Sequence, residues 1–260
     1  MPLRMNSIIN NESKKESVFA GIVTKDIQNP DSLIATSDKK KLHITKNIID
    51  KRNGEIIGKS VITVMATDKA LEIKDVDIVI KNENPTKLNF LKKLDESSES
   101  NEYYHVECEN ENHFEVETVN RSAIESEIEG QKHEVYVSAF PFELNIYDTI
   151  EDANKALGFG KPVKIDYMDL EVSGYSEQFM APGSTLGSQE ACSFIIGTVK
   201  TFREVNAIIG EEEVDFIIVQ LDTAIGTIPV AVSREVFDLE KLYAGKIIVM
   251  FADIKIDFIK

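Results

Sequence analysis

The segment 233–259 reads SREVFDLEKLYAGKIIVMFADIKIDFI, and its order of features matches that of the segment 45–73, TKNIIDKRNGEIIGKSVITVMATDKALEI. Both begin with a residue type that caps helices, followed by a basic residue, an apolar pair, a Gly-Lys pair and a β-rich run. The segment 120–139, NRSAIESEIEGQKHEVYVSA, follows the same order with Gly-Gln-Lys. These three matches predict that one structural unit occurs three times in the chain.

Each unit is predicted to carry a short helix between its third and fourth strands. Thr, Asn and Ser side chains accept hydrogen bonds from backbone N–H groups at the start of a helix. The predicted N-cap residues are Thr45, Asn120 and Ser233. Gly58, Gly130 and Gly245 follow 13, 10 and 12 residues later, and glycine allows the turn that leads from a helix into the next strand.

Segments that alternate apolar and polar residues, or are rich in β-branched residues, dominate the chain; examples are VFAGIVTKDI, SVITVMA and DFIIVQLDT. This pattern is typical of an all-β barrel or sandwich. Each unit reads as strand, strand, strand, helix, strand, strand. This order resembles the OB fold, a small, partly open β-barrel. An SH3-like or other small barrel is the alternative.

Three OB-like barrels in series are therefore predicted. Their ranges are 1–85, 86–148 and 191–260. An insert, 149–190, interrupts the period before the third barrel. Its first part, TIEDANKALGFG, predicts a helix that is capped by Thr149 and ends near Gly158. A strand in KPVKIDYMDLEV and an exposed polar linker in SGYSEQFMAPGSTLGSQEA are predicted to follow.

The 260-residue chain has a net charge of −16, with 42% hydrophobic and 28% charged residues, as expected of a globular protein. Residues 86–148 alone carry 15 acidic and 5 basic side chains. Such a surface repels phosphate backbones and anionic membranes. The first residues lack the apolar region of a signal peptide, and the chain has only two cysteines. We therefore expect a cytoplasmic protein with reduced thiols.

Sequence motifs for catalysis do not occur in the chain. It contains no G-x-x-x-x-G-K-[ST] or G-x-G-x-x-G phosphate loop and no G-x-S-x-G nucleophile elbow. The segment GFGKP at 158–162 follows a predicted helix and precedes a strand, which reverses the order found at dinucleotide sites. We therefore expect no cofactor and a non-catalytic function, and an enzyme of an unrecognised type is an alternative.

Four potential metal ligands, His105, Cys108, His113 and His133, lie in the second predicted unit. If a hairpin turns near Asn110, Cys108 and His113 face each other across it. Zinc would require both side chains, together with His133 or a glutamate, at about 2.0–2.3 Å. No Cys-x2-Cys spacing supports such a site. We therefore predict an ordinary half-buried hairpin without a metal.

The acidic hairpin in the second unit is the predicted surface for a protein partner. Acidic surfaces attract basic partners, and exposed sheet edges accept an added strand. The predicted contact residues are Tyr103, Tyr104, Glu107, Glu109, Phe114 and Glu115. The predicted function is thus that of a non-catalytic binding or assembly protein.

Binding of single-stranded nucleic acid is the alternative function, because OB folds can combine a basic groove with stacked aromatic rings. The phosphate contacts would be Lys39, Lys40, Lys41 and Arg52 in the first unit. The aromatic residues, however, lie in the second unit among glutamates. This separation and the net charge favour a protein partner.

The pattern of the third unit also predicts core residues. The run IIVMF at 247–251 is apolar at every position, so both faces of its strand are expected to be covered. The residues predicted to be buried are Ile195, Val199, Phe216, Ile248 and Met250.

Overall fold

The computed structural model of the protein describes residues 32–35, 41–66, 71–94, 102–119, 128–159, 163–165, 168–170, 174–186, 191–209 and 212–259. These residues form mainly β-strands, which agrees with the all-β pattern of the sequence. The predicted first strand, VFAGIVTKDI, lies outside the described residues.

The secondary structure consists of fifteen strands and one α-helix within these ranges. The strands are β1 Ser32–Ala35, β2 Lys41–Asp50, β3 Ile56–Ala66, β4 Leu71–Ile80, β5 Thr86–Lys93, β6 Glu102–Glu107, β7 His113–Thr118, β8 Lys132–Tyr147, β9 Val163–Ile165, β10 Met168–Leu170, β11 Phe179–Pro182, β12 Ser193–Ile209, β13 Glu212–Thr223, β14 Gly226–Val232 and β15 Ile247–Phe258. Helix α1 spans Ile150–Ala156, and a 3₁₀ helix spans Gly183–Leu186. The predicted cap of α1 is confirmed, because Thr149 Oγ1 accepts a hydrogen bond from the Asp152 N–H at 3.2 Å.

A mixed sheet of 13 strands contains every described strand except the β9–β10 pair. Its order is β13-β14-β8-β5-β6-β7-β15-β12-β2-β3-β4, with β1 beside β2 and β11 beside β12. Strand β13 also pairs with β12, and β8 also pairs with β15. The sheet is mixed because β14 pairs with β8, and β15 with β7, in the parallel direction.

Two sets of four strands, β5–β8 and β12–β15, have the same connectivity. In each set the first strand pairs with the second and the fourth, and the second pairs with the third. The third strand of each set pairs in parallel with the fourth strand of the other set. The two fourth strands, β8 and β15, pair antiparallel along most of their length. The sets are therefore related by an approximate twofold axis between β8 and β15.

Individual hydrogen bonds repeat in the two sets. The Gly130 N–H donates to the Phe90 carbonyl at 2.6 Å, and the Gly245 N–H donates to the Val199 carbonyl at 2.7 Å. Both glycines have a positive φ, +77° and +84°, which favours glycine. The strand that contains each accepting carbonyl has a register shift directly after Phe90 or Val199. Gly130 and Gly245 thus lie at equivalent turns, as the sequence repeat predicts.

The strand registers extend this equivalence to single positions. Val106 faces Phe90 and Phe114, and the corresponding Leu221 faces Val199 and Ile228. Counting along β7 and β14 from these pairs makes Glu117 equivalent to Ala231. Counting along β8 and β15 from the two glycines makes Phe140 equivalent to Lys255. The repeat is therefore real for the second and third predicted units.

The predicted helix of the first unit is wrong. Thr45 lies inside β2 and Gly58 lies inside β3, so the segment forms an antiparallel pair instead. Gly58 is needed for a different reason, because a Cβ at this position would lie 2.3 Å from the Val79 carbonyl oxygen in β4. The Thr45 segment takes strand structure because its β-branched residues pair with a neighbouring strand, which overrides the local cap signal.

The other two predicted caps have different outcomes. Asn120 lies outside the described residues. Ser233 does accept hydrogen bonds at the start of a turn: its Oγ accepts from the Glu235 N–H and its carbonyl from the Phe237 N–H, both at 3.2 Å. Residues 234–246 then form turns rather than a helix. The prediction of two separate strands after each helix is also wrong for the second and third units, because β8 and β15 are each one continuous strand.

The main hydrophobic core lies between the two related sets of strands. It contains side chains from both, including Phe90 and Phe114 from one set and Leu221 and Met250 from the other. All five predicted core residues are confirmed as buried: Ile195, Val199, Phe216, Ile248 and Met250. The finer expectation of three separate OB-like barrels is not confirmed, because strands of the second and third predicted units pair with each other.

A buried ionic cluster connects β4 to this core. Lys255 Nζ on β15 contacts the carboxylate of Asp77 on β4 and lies 2.9 Å from Glu117 Oε2 on β7. All three side chains are buried. Burial by itself lowers the pKa of Lys255, but the two carboxylates outweigh it and raise the pKa well above its ordinary value. The cluster thus holds a charged lysine at the point where three segments meet.

Candidate interaction surface

Three Ile-Ile pairs occur where β12, β2 and β3 lie side by side: Ile48-Ile49, Ile56-Ile57 and Ile208-Ile209. Successive side chains of a strand point to opposite faces of the sheet, so only one isoleucine of each pair can enter the core on the inner face. The buried members are Ile48, Ile57 and Ile209. The outer members are 44%, 46% and 45% exposed for Ile49, Ile56 and Ile208.

The three exposed isoleucines form one row across the sheet. Ile208 of β12 is the register partner of Ile49 of β2, and Ile49 is the register partner of Ile56 of β3. Directly opposed residues in antiparallel strands have Cβ atoms about 4.5–5.5 Å apart, so the side chains adjoin. We call Ile49, Ile56 and Ile208 the isoleucine row. The β12–β13 register adds Glu213 beside Ile208 at one end.

The turn between β2 and β3 positions the row. Asp50 is buried, and its Oδ1 accepts a hydrogen bond from the Arg52 N–H at 3.0 Å. Gly54 completes the turn with a φ of +74°. The Lys51 N–H donates to the Asn206 carbonyl at 2.7 Å, which ties the turn to β12. The register between β2 and β12 is therefore held next to the exposed isoleucines.

Charged side chains surround the row as ion pairs. Lys51 Nζ lies 2.5 Å from Glu213 Oε2, and Arg203 lies 2.7 Å from Glu55 Oε2. Hydrogen bonds from these cations are the main reason that the pKa values of Glu55 and Glu213 are lowered. Both carboxylates stay ionised at neutral pH and are already neutralised by a partner within the chain.

The other charged side chains near the row form a network in which Arg234 and Arg52 share the carboxylate of Glu204. Glu204 contacts Arg234 and also lies 3.5 Å from Arg52, while Arg52 lies 4.0 Å from Asp215. These residues line a cavity of about 520 Å³, which Glu213 also lines. The charged rim has four basic and four acidic members: Lys51, Arg52, Arg203, Arg234, Glu55, Glu204, Glu213 and Asp215. Its formal charge is therefore zero, in a chain that carries −16.

Three of the six predicted partner-contact residues are inside the protein. Tyr104 and Phe114 belong to the main core. Glu115 is buried, and its carboxylate accepts hydrogen bonds from the Cys192 N–H at 2.9 Å and from Ser184 Oγ at 3.1 Å. Placing these three on an exposed surface was wrong, because both faces of β7 are covered.

The other three predicted contacts lie closer to solvent. Glu109 is exposed in the turn between β6 and β7, and Tyr103 and Glu107 are half-buried on β6. Their face of the hairpin also carries His105 and His113, whose rings stack with centroids 5.4 Å apart. Burial, followed by the charge of His113, lowers the pKa of His105.

The prediction that Cys108 lies opposite His113 across the hairpin is wrong by one residue. His113 is the register partner of Glu107, and its Nε2 lies 3.5 Å from the Glu107 carboxylate. Cys108 is buried on the other side of the hairpin. His133 packs edge-to-face against Phe90 in the core, with centroids 5.6 Å apart. Across the described ranges, no group of three or more His, Cys, Asp or Glu side chains could hold a metal ion.

The predicted phosphate contacts are only partly within the described residues. Lys39 and Lys40 lie outside them, and Lys41 is the first residue of β2. Arg52 belongs to the charged rim, where it donates a hydrogen bond to the Glu204 carbonyl at 3.2 Å and faces two carboxylates. The structure therefore places Arg52 among acidic residues.

The isoleucine row is not among the residues predicted from the sequence. The available signal was the Ile-Ile pairs themselves, since a strand with one covered face leaves one member of each pair outside.

Comparison of the chain with protein-family models, curated proteins and solved structures gave no match. Where the chain is described, none of its helices has the length and apolarity needed to cross a membrane.

Proposed function

We propose that this chain is a non-catalytic binding or assembly protein that docks a protein partner on the isoleucine row. The exposed row is the observation that carries this proposal. Three adjoining isoleucines, each more than two fifths exposed, lie close to the ion pairs Lys51–Glu213 and Arg203–Glu55. An apolar strip enclosed by a polar rim is the usual arrangement at the centre of a protein interface.

The charged rim supports a protein partner over a nucleic acid. A single strand of nucleic acid requires accessible cations next to aromatic rings on which bases stack. On this surface all four basic side chains lie within ion-pair distance of a carboxylate, and the row is aliphatic. Phosphates would have to displace these carboxylates, whereas an apolar protein surface would leave them in place.

We also propose the finer fold that the sequence predicts. We expect the sets β5–β8 and β12–β15 to be related small barrels of OB-like type, with the first unit as a third. Their pairings support this for two sets, since each fourth strand returns to its first strand. Cys108 and Cys192 are buried and form no disulfide, which supports the proposed cytoplasmic location.

Site-specific photo-crosslinking tests the proposal. A benzophenone amino acid would be placed at Ile49 in the full chain, in the cells that naturally produce it. The matched control places it at Ile259, which is 38% exposed at the end of β15. We expect a crosslinked protein, identified by mass spectrometry, from position 49 and not from position 259. Crosslinks of equal yield at both positions, or none at position 49, would contradict the proposed surface.

A further inference from the structure

We infer that the partner of the isoleucine row is a second copy of this chain. This inference rests on the proposed function and names the occupant of the proposed surface. It is carried by the charge distribution around the row and by the order of residues along it.

The first argument is electrostatic. Two copies that each carry −16 repel each other over most of their surfaces, within a screening distance of about 8 Å at physiological salt. The ion pairs of the charged rim add no net repulsion, because their four cations and four carboxylates sum to zero. A basic partner would gain nothing from these paired charges and would bind the acidic segment 86–148 instead. A second acidic copy, in contrast, meets no net repulsion from them.

The second argument is the symmetry of the row. Across the strands the order is Glu213, Ile208, Ile49 and Ile56. A twofold axis through Ile49 would place Ile208 of each copy against Ile56 of the other. Such an isologous contact is the commonest form of self-association.

The experiment measures the mass of the full chain by analytical ultracentrifugation over a range of concentrations. Ile49→Lys and Ile208→Lys each place a charge in the apolar strip, and Ile259→Lys is the matched control at a similarly exposed isoleucine. We expect the wild-type chain and the control to dimerise. We expect the two row variants to weaken dimerisation by about tenfold or more. Circular dichroism would verify that each variant is folded.

Salt provides a second measurement. Because two copies of charge −16 repel each other over a longer range at low salt, we expect the dimer dissociation constant to fall as salt rises from low to physiological concentration. A wild-type chain that stays monomeric up to about millimolar concentration, where even weak complexes form, would overturn the inference. A dimer unaffected by both row variants would also overturn it. If the chain is monomeric but crosslinks to another protein at position 49, this inference fails and the proposed function stands.

Discussion

The faces of β7 and β14 that point away from the main core occupy equivalent places in the two related sets of strands, but their side chains differ in chemistry. On β7 this face carries Glu115 and Glu117, both buried. The equivalent positions on β14 are Pro229 and Ala231. The same backbone arrangement thus covers two carboxylates in one set and two apolar residues in the other.

The covering residues differ in the same way. Glu117 meets Lys255, which is joined by Asp77 of β4. Ala231 packs instead against a second hydrophobic cluster that contains Phe140, the equivalent of Lys255, and Ile78. Neighbouring residues of β4, Asp77 and Ile78, therefore serve the ionic and the apolar contact respectively. The fold therefore accepts either chemistry if both sides of a contact match, because a buried charge destabilises a protein most when its partner is missing.

Replacement of Lys255 should have the largest effect on the free energy of unfolding. Lys255→Met would leave the carboxylates of Asp77 and Glu117 buried without their cation, and we expect the free energy of unfolding to fall by about 3–5 kcal/mol. Urea denaturation would measure it. The triple variant Asp77→Val, Glu117→Ala, Lys255→Phe copies the apolar arrangement and should regain most of the loss. A triple variant no more stable than Lys255→Met would contradict the equivalence of the two faces.

Truncation of Phe140, on the apolar side of the comparison, should lower the free energy of unfolding somewhat less. Phe140→Ala removes a buried ring from the second hydrophobic cluster, and we expect a loss of about 3 kcal/mol in the free energy of unfolding. Ile259→Ala, at an exposed isoleucine, is the control and should change the free energy by less than about 0.5 kcal/mol. If Phe140→Ala changes it no more than the control, the contact with β4 does not stabilise the fold.

The two turns should respond alike. Gly130 and Gly245 have positive φ values and no atom within 4 Å of a Cβ built on them, so an alanine adds backbone strain without a clash. We expect Gly130→Ala and Gly245→Ala each to cost about 1–2 kcal/mol. Thermal unfolding would compare them. If the two losses in the free energy of unfolding differ by more than about 1 kcal/mol, the width of the expected range, the turns are not equivalent.

The smallest expected effect is the pH dependence of one hairpin. His105 has a lowered pKa in the folded protein, so the unfolded chain binds more protons near its ordinary pKa of about 6.5. The free energy of unfolding should therefore fall as the pH drops through this region. The equivalent residue in the other set, Gln220, does not titrate. His105→Gln should flatten this slope in acid titrations followed by fluorescence or circular dichroism. An unchanged slope would show that His105 does not cause it.

The local features of the fold follow from the sequence alone. Helix α1 and its Thr149 cap follow from residues adjacent in the chain, as do the glycine turns at Gly130 and Gly245. Burial of Ile248 and Met250 follows from an apolar run that needs cover on both faces. Such features depend on backbone sterics, on hydrogen bonds between near neighbours and on hydrophobicity, all of which can be read within one segment.

Which strand faces are covered, and by which residues, depends on contacts between segments that are distant in sequence. A period of two shows that a strand has two faces, but the cover of the Glu115 face comes from Ser184 and Cys192, about 70 residues away. The parallel pairings of β7 with β15 and of β14 with β8 likewise join segments distant in sequence. Long-range pairing depends on the combined burial and hydrogen bonding of all the strands, so no single segment specifies it. The isoleucine row exists for this reason, because three separate Ile-Ile pairs become neighbours only when β12, β2 and β3 align.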